Sequence, residues 1–359
     1  MTLPATPIRG EGQIVVTGGA GFLGTNVAQA LARRGDDVLI FDNLSRLHVR
    51  ENVSWLQQHD GNRISMRVAD VRDEEAVSEA IRGARAVIHL AAQVAVTTSV
   101  DDPITDFEVN ARGTLNVLEA VRRYAPNAPL LFASTNKVYG KLLPVEALER
   151  DGLRYVPRKP QHTSGFDEST PLSLYSPYGC SKGSADQYVI DYSRIYGVKT
   201  AVFRMSCLYG PHQFGNEDQG WVAHFVISAL RGEPISIYGD GYQVRDILEV
   251  GDAVRAYLLA LDQIDAISGS VFNLGGGPEN TLSLRELLRA IEKMEGRAPE
   301  VSFHDWRPGD QPWYVSDTRA LTGATGWQAQ VNVDAGLRRL RDWLIASAVV
   351  QQTKREAVA

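Results

Sequence analysis

The stretch IVVTGGAGFLG, Ile14 to Gly24, runs from an apolar β-branched segment into a helical pattern that begins near Phe22, with only a glycine-rich turn between them. Gly18, Gly21 and Gly24 stand three residues apart across that turn. The first allows a tight reversal, the second a close approach of backbone to a pyrophosphate, and the third close packing of helix on strand. The N–H groups at the helix start then face phosphate oxygens, with the positive end of the helix dipole behind them.

The same alternation continues down the chain. VLIFD, ISMRVAD, AVIHLAA, PLLFAS and TAVFRM read as strands. Helical patterns start near Asp73, run from Pro103 to Tyr124, and start again near Pro177. Strands that are apolar throughout are buried on both faces, and helices between them make right-handed crossovers of a parallel sheet. The expected fold is α/β, a doubly wound parallel sheet of Rossmann type with a smaller mixed α/β domain. Residues 13–210, with a return of the chain near 243–273, form the cofactor domain. Residues 211–242 and 274–345 form the substrate domain, and 1–12 and 346–359 are flexible ends. The connection from Lys141 to Gly165 has no period, and connections of that length are lids or disordered segments. Its Arg154, Arg158 and Lys159 either face a phosphate or are solvated charge.

Composition excludes several classes of function. A net charge of -6 gives no general attraction to nucleic-acid phosphates. No apolar run approaches the ~20 residues of a membrane helix, and MTLPATPIRGEG lacks the apolar core of a signal peptide. Cys180 and Cys207 fit a reducing cytoplasm, which argues against a disulfide. Seven scattered histidines, His212 and His224 among them, show no metal-ligand spacing.

Asp42 closes VLIFD about 20 residues after the glycines. A carboxylate there accepts from both adenine-ribose hydroxyls and repels a 2′-phosphate, which favours NAD over NADP. Arg46, close by, is a possible partner for a 2′-phosphate. Asp70 either meets the adenine amino group or caps the helix of DEEAVSEAI. Ala91, Ala92 and Gln93 end the fourth strand, where small residues leave room for a dinucleotide.

SPYGCSK places Tyr178 and Lys182 four apart at a helix start, on one face. A phenol with a pKa of about 10 costs roughly 4 kcal/mol to use as phenolate near pH 7. The Lys182 ammonium and an oxidised nicotinamide can supply that stabilisation.

TGGAGFLG, FDNLS, HLAAQ, VNARGTLN, STNKVYG, SPYGCSK, YQVRDIL and RPGDQPWYVSD, in this order, resemble the extended short-chain dehydrogenase/reductase superfamily of nucleotide-sugar epimerases and dehydratases. The likeness runs from about residue 13 to about residue 345. It implies NAD held by Gly18, Gly21, Phe22, Leu23, Asp42, Asn43, Ser45, Arg46, Asp70, Val71, Leu90, Ala91, Ala92, Gln93, Asn110, Tyr178 and Lys182. It makes Tyr178 the acid/base, with Lys182 orienting it and Thr135 hydrogen-bonding the reacting hydroxyl. It assigns Thr135, Asn136, Lys137, Arg204, Val222, Tyr238, Arg245, Arg307 and Asp310 to the substrate, with Arg245 and Arg307 at its pyrophosphate or in ion pairs. It also implies a homodimer through the helices near Pro103–Tyr124 and Pro177–Tyr196.

In members that eliminate water across C5 and C6, an aspartic and a glutamic acid follow the threonine. Here Asn136 and Lys137 stand there, and an amide or a protonated lysine cannot do that work, so epimerisation remains. Asn136 and Lys137 then bind the sugar, unless Lys137 belongs to an ion pair. STNKVYG, QVAVTTS, SPYGCSKGSADQY, FGNEDQGWV and the long connection ending in GFDEST resemble the CDP-tyvelose (CDP-paratose) 2-epimerase branch, which implies a CDP-hexose inverted at C2. At MSCLYGPHQF the match lapses. Residue chemistry leaves a UDP-sugar 4-epimerase open. A non-catalytic NAD sensor is disfavoured by the intact Thr135, Tyr178 and Lys182.

Overall fold

The computed structural model describes residues 12–307 and 309–347. The flexible ends expected at 1–12 and 346–359 lie outside these residues, apart from Gly12, Ala346 and Ser347.

β1 (Ile14–Thr17) passes through the glycine turn into α1 (Phe22–Arg34), followed by β2 (Val38–Asp42), α2 (Val49–Asp60), β3 (Ile64–Val68), α3 (Glu74–Ile81) and β4 (Ala86–His89). α2 has a weak pattern because only Val49, Asn52 and Leu56 are buried along its length. Next come α4 (Val96–Asp101), α5 (Pro103–Phe107), a π turn at Glu108–Arg112, α6 (Gly113–Tyr124) and β5 (Leu130–Thr135). The single helix expected from Pro103 to Tyr124 is therefore interrupted by one wide turn, a feature frequent at functional sites. Asp73, not Asp70, caps α3, accepting from Ala76 N at 3.0 Å.

β6 (Leu148–Asp151) and β7 (Arg154–Pro157) form an antiparallel hairpin within the long connection. The remaining elements are α7 (Ser176–Tyr196), β8 (Thr200–Met205), β9 (Cys207–Tyr209), α8 (Trp221–Arg231), β10 (Ile235–Tyr238), β11 (Val244–Glu249), α9 (Val250–Asp262), α10 (Ile264–Ile267), β12 (Ser270–Leu274), β13 (Thr281–Ser283), α11 (Leu284–Glu295), β14 (Val301–His304), β15 (Trp313–Tyr314), α12 (Arg319–Thr325) and α13 (Val333–Ala346).

Seven strands make one parallel sheet in the order β12-β8-β5-β4-β1-β2-β3. Alternate residues of β1 supply the two cores. Ile14 and Val16 face the core containing α1, α2 and α9, while Val15 faces the one containing α3, α6 and α7. Burial of each such side chain contributes about 1.5–3 kcal/mol. The strand order reverses between β1 and β4, which opens a crevice at their carboxyl ends.

The smaller domain joins β11 to β9, β13 and β15, with α8, α11 and α13 around a separate core. α11 starts at a capping box of Ser283 and Glu286. Two expected boundaries shift. β9 and β11 belong to this small sheet, so the return to the cofactor domain begins at α9. Leu321 and Trp327 pack into the large-sheet core, and Trp327 Nε1 donates to Asp252 O at 2.9 Å, so residues 319–327 sit with the cofactor domain.

The long connection is tied down and does not form a phosphate-facing lid. Arg154 forks onto Glu286 at 2.6 and 2.7 Å, Tyr155 donates to Asp240 at 2.6 Å, and Leu148 and Tyr155 pack on Val244 and Trp313. Arg158 reaches Glu149 at 3.4 Å within its own hairpin.

Candidate active site

A cavity of about 1010 Å³ opens at the carboxyl edge of the large sheet and extends between the two domains. Its floor begins at the glycine turn. Gly18 has φ +68°, and a Cβ there would lie 2.7 Å from Ala91 N; a Cβ on Gly24 would lie 2.2 Å from Gly18 O. Both positions therefore require glycine, which keeps α1 tight against β1 and its start free of side chain. Gly21 is the N-cap, with no side-chain cap. Asp42 stands at the end of β2, accepting from Ala20 N at 3.1 Å and Leu44 N at 2.9 Å. Burial raises its pKa despite these bonds. The glycine cradle, the uncapped helix start and a carboxylate at the end of β2 fit an adenine dinucleotide.

Phe22, Leu23, Asn43, Ser45, Arg46, Val71, Leu90, Ala91, Ala92 and Gln93 line the same arm. Asp70 lines it too, with its carboxylate engaged by Arg72 at 2.9 and 2.8 Å and by Asn43 at 2.8 Å. The Arg72 guanidinium first, aided by Asn43, holds this carboxyl at about 2. Arg46 lies within electrostatic reach of both Asp42 and Tyr178, so the adenine arm and the reaction centre share one cavity.

At the reaction centre Tyr178 and Thr135 line the same cavity, both are buried, and the Thr135 hydroxyl donates to Asn136 Oδ1 at 3.4 Å. β5 delivers Thr135 and α7 delivers Tyr178. Burial pushes the phenol up to about 12, although Thr135 and the Arg46 charge pull the other way. Lys182, one turn on, is buried behind the cavity and does not line it. Its Nζ donates to Ala133 O at 2.7 Å and lies 4.2 Å from the centre of the Phe132 ring. Burial brings Lys182 down to about 7.

The second arm holds the expected substrate residues. Lys137 Nζ donates to Gly309 O at 3.3 Å and lies 3.8 Å from Asp310 Oδ1. Arg245 Nη2 donates to the same oxygen at 2.6 Å. Burial opposes the Asp310 charge, yet Arg245 and Lys137 outweigh it and keep the carboxyl below its ordinary value. Asn136 donates to Gln311 at 3.5 Å. The Arg307 guanidinium stacks on Tyr238, 3.8 Å from the ring centre, and donates to Glu217 O at 2.9 Å. Val222 lies at the start of α8 on the same wall.

Two expected site residues serve other purposes. Arg204 is turned from the cavity into a buried pair, with Nε and Nη2 3.0 and 2.9 Å from the Asp186 carboxylate and Nη1 3.2 Å from the Tyr139 hydroxyl. It therefore ties β8 to α7 and does not line the cavity. Asn110 lies beneath the cavity, in the π turn. Its Oδ1 accepts from Gln93 N at 2.9 Å, and its Nδ2 donates to Gln93 O, Asp106 and Ser181 at 3.0 to 3.1 Å. It shapes the strand end rather than the cavity wall.

Glu217 and Asp218 were not expected. Both lie within 3.6 Å of Arg307, and Asp218 also accepts from Thr97 at 3.0 Å, bridging the two domains at the cavity rim. Their only signal was position in FGNEDQGWV, where neighbouring acids resemble any solvated loop. His212 packs between Trp55 and Trp343, and no group of three or more His, Cys, Asp or Glu side chains among the described residues could hold a metal. Cys180 and Cys207 are both free.

Comparison with known proteins agrees with this geometry. Residues 14–275 match the model of the NAD dependent epimerase/dehydratase family. Over 338 residues the chain is 41% identical to a CDP-paratose 2-epimerase of Salmonella typhi, covering 92% of this chain and 98% of that protein. A UDP-glucose 4-epimerase of Thermus thermophilus, solved in complex with NAD, superposes with a TM-score of 0.78 at 35% identity, over 93% of this chain and 99% of that one. A dTDP-glucose 4,6-dehydratase from Streptomyces venezuelae, solved with NAD, gives 0.80 at 26% identity, over 94% and 98%. The chain is an NAD-dependent enzyme and belongs to the NAD dependent epimerase/dehydratase family.

Proposed function

We propose that the protein is a nucleotide-sugar epimerase that inverts C2 of a CDP-hexose of the paratose/tyvelose type. The observation that carries this reading is the reaction centre itself. Thr135 and Tyr178 line one cavity and Thr135 acts on the phenol, while the adjoining Asn136 and Lys137 provide no acid and base for eliminating water. The 41% identity to a CDP-paratose 2-epimerase supports C2 as the carbon and cytidine as the nucleoside.

When bound, NAD supplies the reversible oxidation of the C2 carbinol to a 2-keto sugar. The chain's own residues manage the proton and the pose. Tyr178 takes the proton from the C2 hydroxyl and returns it after the keto sugar has turned its other face. Its high pKa makes it a ready donor in the return step, and its use as a base calls for positive charge nearby. Thr135 holds the C2 oxygen against the phenol. Arg245 and Arg307 receive the diphosphate, and Asn136 and Lys137 the sugar hydroxyls.

We place the enzyme in the cytoplasm as a homodimer. Two free cysteines support the first. No helix among the described residues is long and apolar enough to cross a membrane. An apolar face on the helices of the expected contact supports the dimer: Ile104 is 75% exposed, Ile195 61% and Phe107 53%.

Purified protein is incubated with CDP-, UDP- and dTDP-hexoses and the products read by NMR. Inversion at C2 of the CDP-sugar supports the proposal. Inversion at C4 of a UDP-sugar keeps the family chemistry and replaces the substrate.

A further inference from the structure

Between β9 and α8 the chain makes a tight reversal whose tip carries Glu217 and Asp218. Asn216 and Gln219 pair across it, N to O, at 2.9 and 3.2 Å. Asn216 Oδ1 also accepts from the N–H groups of Asp218 and Gln219, at 3.1 and 2.9 Å, and an asparagine used in this way fixes a turn. Gly215 and Gly220 flank the reversal. Gly220 has φ +75°, and a Cβ on Gly215 would lie 2.6 Å from His224 N. The turn is therefore built, and it delivers both acids to the rim of the cavity.

Both acids meet Arg307 there. Glu217 Oε1 lies 3.5 Å from Nη2, and Asp218 Oδ1 lies 3.6 Å from Nη1. Each acid has a second anchor: Glu217 accepts from the Tyr238 hydroxyl, and Asp218 accepts from Thr97 of α4 at 3.0 Å. The guanidinium keeps its place without either carboxylate. It donates to the main-chain oxygen of Glu217 at 2.9 Å and lies 3.8 Å from the centre of the Tyr238 ring, which stacks on His304 at 5.3 Å. The two ionic contacts are longer than the roughly 2.7–2.9 Å of a strong guanidinium–carboxylate bond. The side chains of the acids are 46% and 48% exposed, and exposed pairs are weak. A diphosphate makes shorter, forked bonds to the same N–H groups.

We propose that Glu217 and Asp218 are internal competitors for Arg307, which hold its guanidinium and yield it to the diphosphate of the substrate. The proposal rests on the reading of Arg307 as a diphosphate residue, and does not depend on the sugar or the base. Affinity for the nucleotide is then lower than Arg307 alone would give, because the incoming anion must replace two carboxylates already in contact. The competition acts through Arg307, so it disappears when that charge is removed. A general repulsion of anions by the rim acids does not.

The test is calorimetric titration of the NAD-loaded protein with CDP and with UDP. Glu217→Gln combined with Asp218→Asn removes both charges and keeps an acceptor for Tyr238 and for Thr97. This double variant is expected to bind both nucleotides about fivefold more tightly than wild type. Arg307→Gln is expected to bind them about tenfold more weakly, and in that background the double substitution is expected to change affinity by less than about twofold. Unchanged or weaker binding by the double variant overturns the proposal. So does an equal tightening in the Arg307→Gln background, which is the general repulsion. Binding that Arg307→Gln leaves unchanged overturns the reading of Arg307 itself, which the other two results leave standing.

Discussion

Asp310 Oδ1 lies 2.6 Å from Arg245 Nη2, so the carboxylate on the loop before β15 aims the guanidinium carried by β11. Lys137 approaches the same oxygen from the end of β5, at 3.8 Å. The triad joins the reaction-centre strand to the small domain. Asp310→Ala is expected to raise the KM for the CDP-sugar about tenfold, a loss of about 1.4 kcal/mol, with a smaller change in kcat. Steady-state kinetics check this, and an unchanged KM removes Arg245 from the proposed diphosphate site.

Arg204 is the opposite case, an arginine whose partner is structural. Arg204→Ala strands Asp186, whose side chain is fully buried. The expected cost is about 3–5 kcal/mol of stability. Urea unfolding reads it as a lower midpoint; weaker substrate binding at unchanged stability returns Arg204 to the substrate site.

Asp42→Ala removes the carboxylate at the end of β2. Selectivity for NAD over NADP is expected to fall by about tenfold or more. A binding titration with both dinucleotides measures it, and unchanged selectivity refutes the ribose argument.

His89 is buried and held neutral, its pKa brought down to about 3 by burial first and by Lys182 second. As pH falls below about 6.5, the unfolded chain takes up a proton here that the folded protein refuses until about pH 3. Its contribution is therefore complete above about 6.5 and is lost towards 3, by about 1.4 kcal/mol per pH unit. Urea midpoints for wild type and His89→Asn between pH 7.5 and 5 should diverge in slope, with the variant less sensitive to acid. Parallel slopes contradict the assignment.

How far these sites were legible depended on whether the signal was local. The glycine turn, Asp42 and the Tyr178/Lys182 pair are short motifs whose spacing fixes their geometry, and the structure brings all but Lys182 to one cavity wall. Arg204 could not be placed that way: its partner Asp186 is 18 residues earlier, on another element, and only the packing of β8 on α7 unites them. The π turn was invisible for the same reason, because Asn110 meets Gln93 and Ser181 only in the folded chain. The hairpin of β6 and β7 leaves no periodic signature in the sequence, because its strands have four residues each, too few to establish a period.

Isotope tracing tests the epimerase reading most directly. A CDP-hexose carrying deuterium on C2 is converted in ordinary water by the purified protein, and the product is read by NMR. The expected product is inverted at C2 and keeps its deuterium, because the hydrogen taken from one face is returned to the other within the same site. Inversion with the label lost to solvent means that a proton is exchanged at carbon, and it would contradict the roles given to Tyr178, Thr135 and NAD.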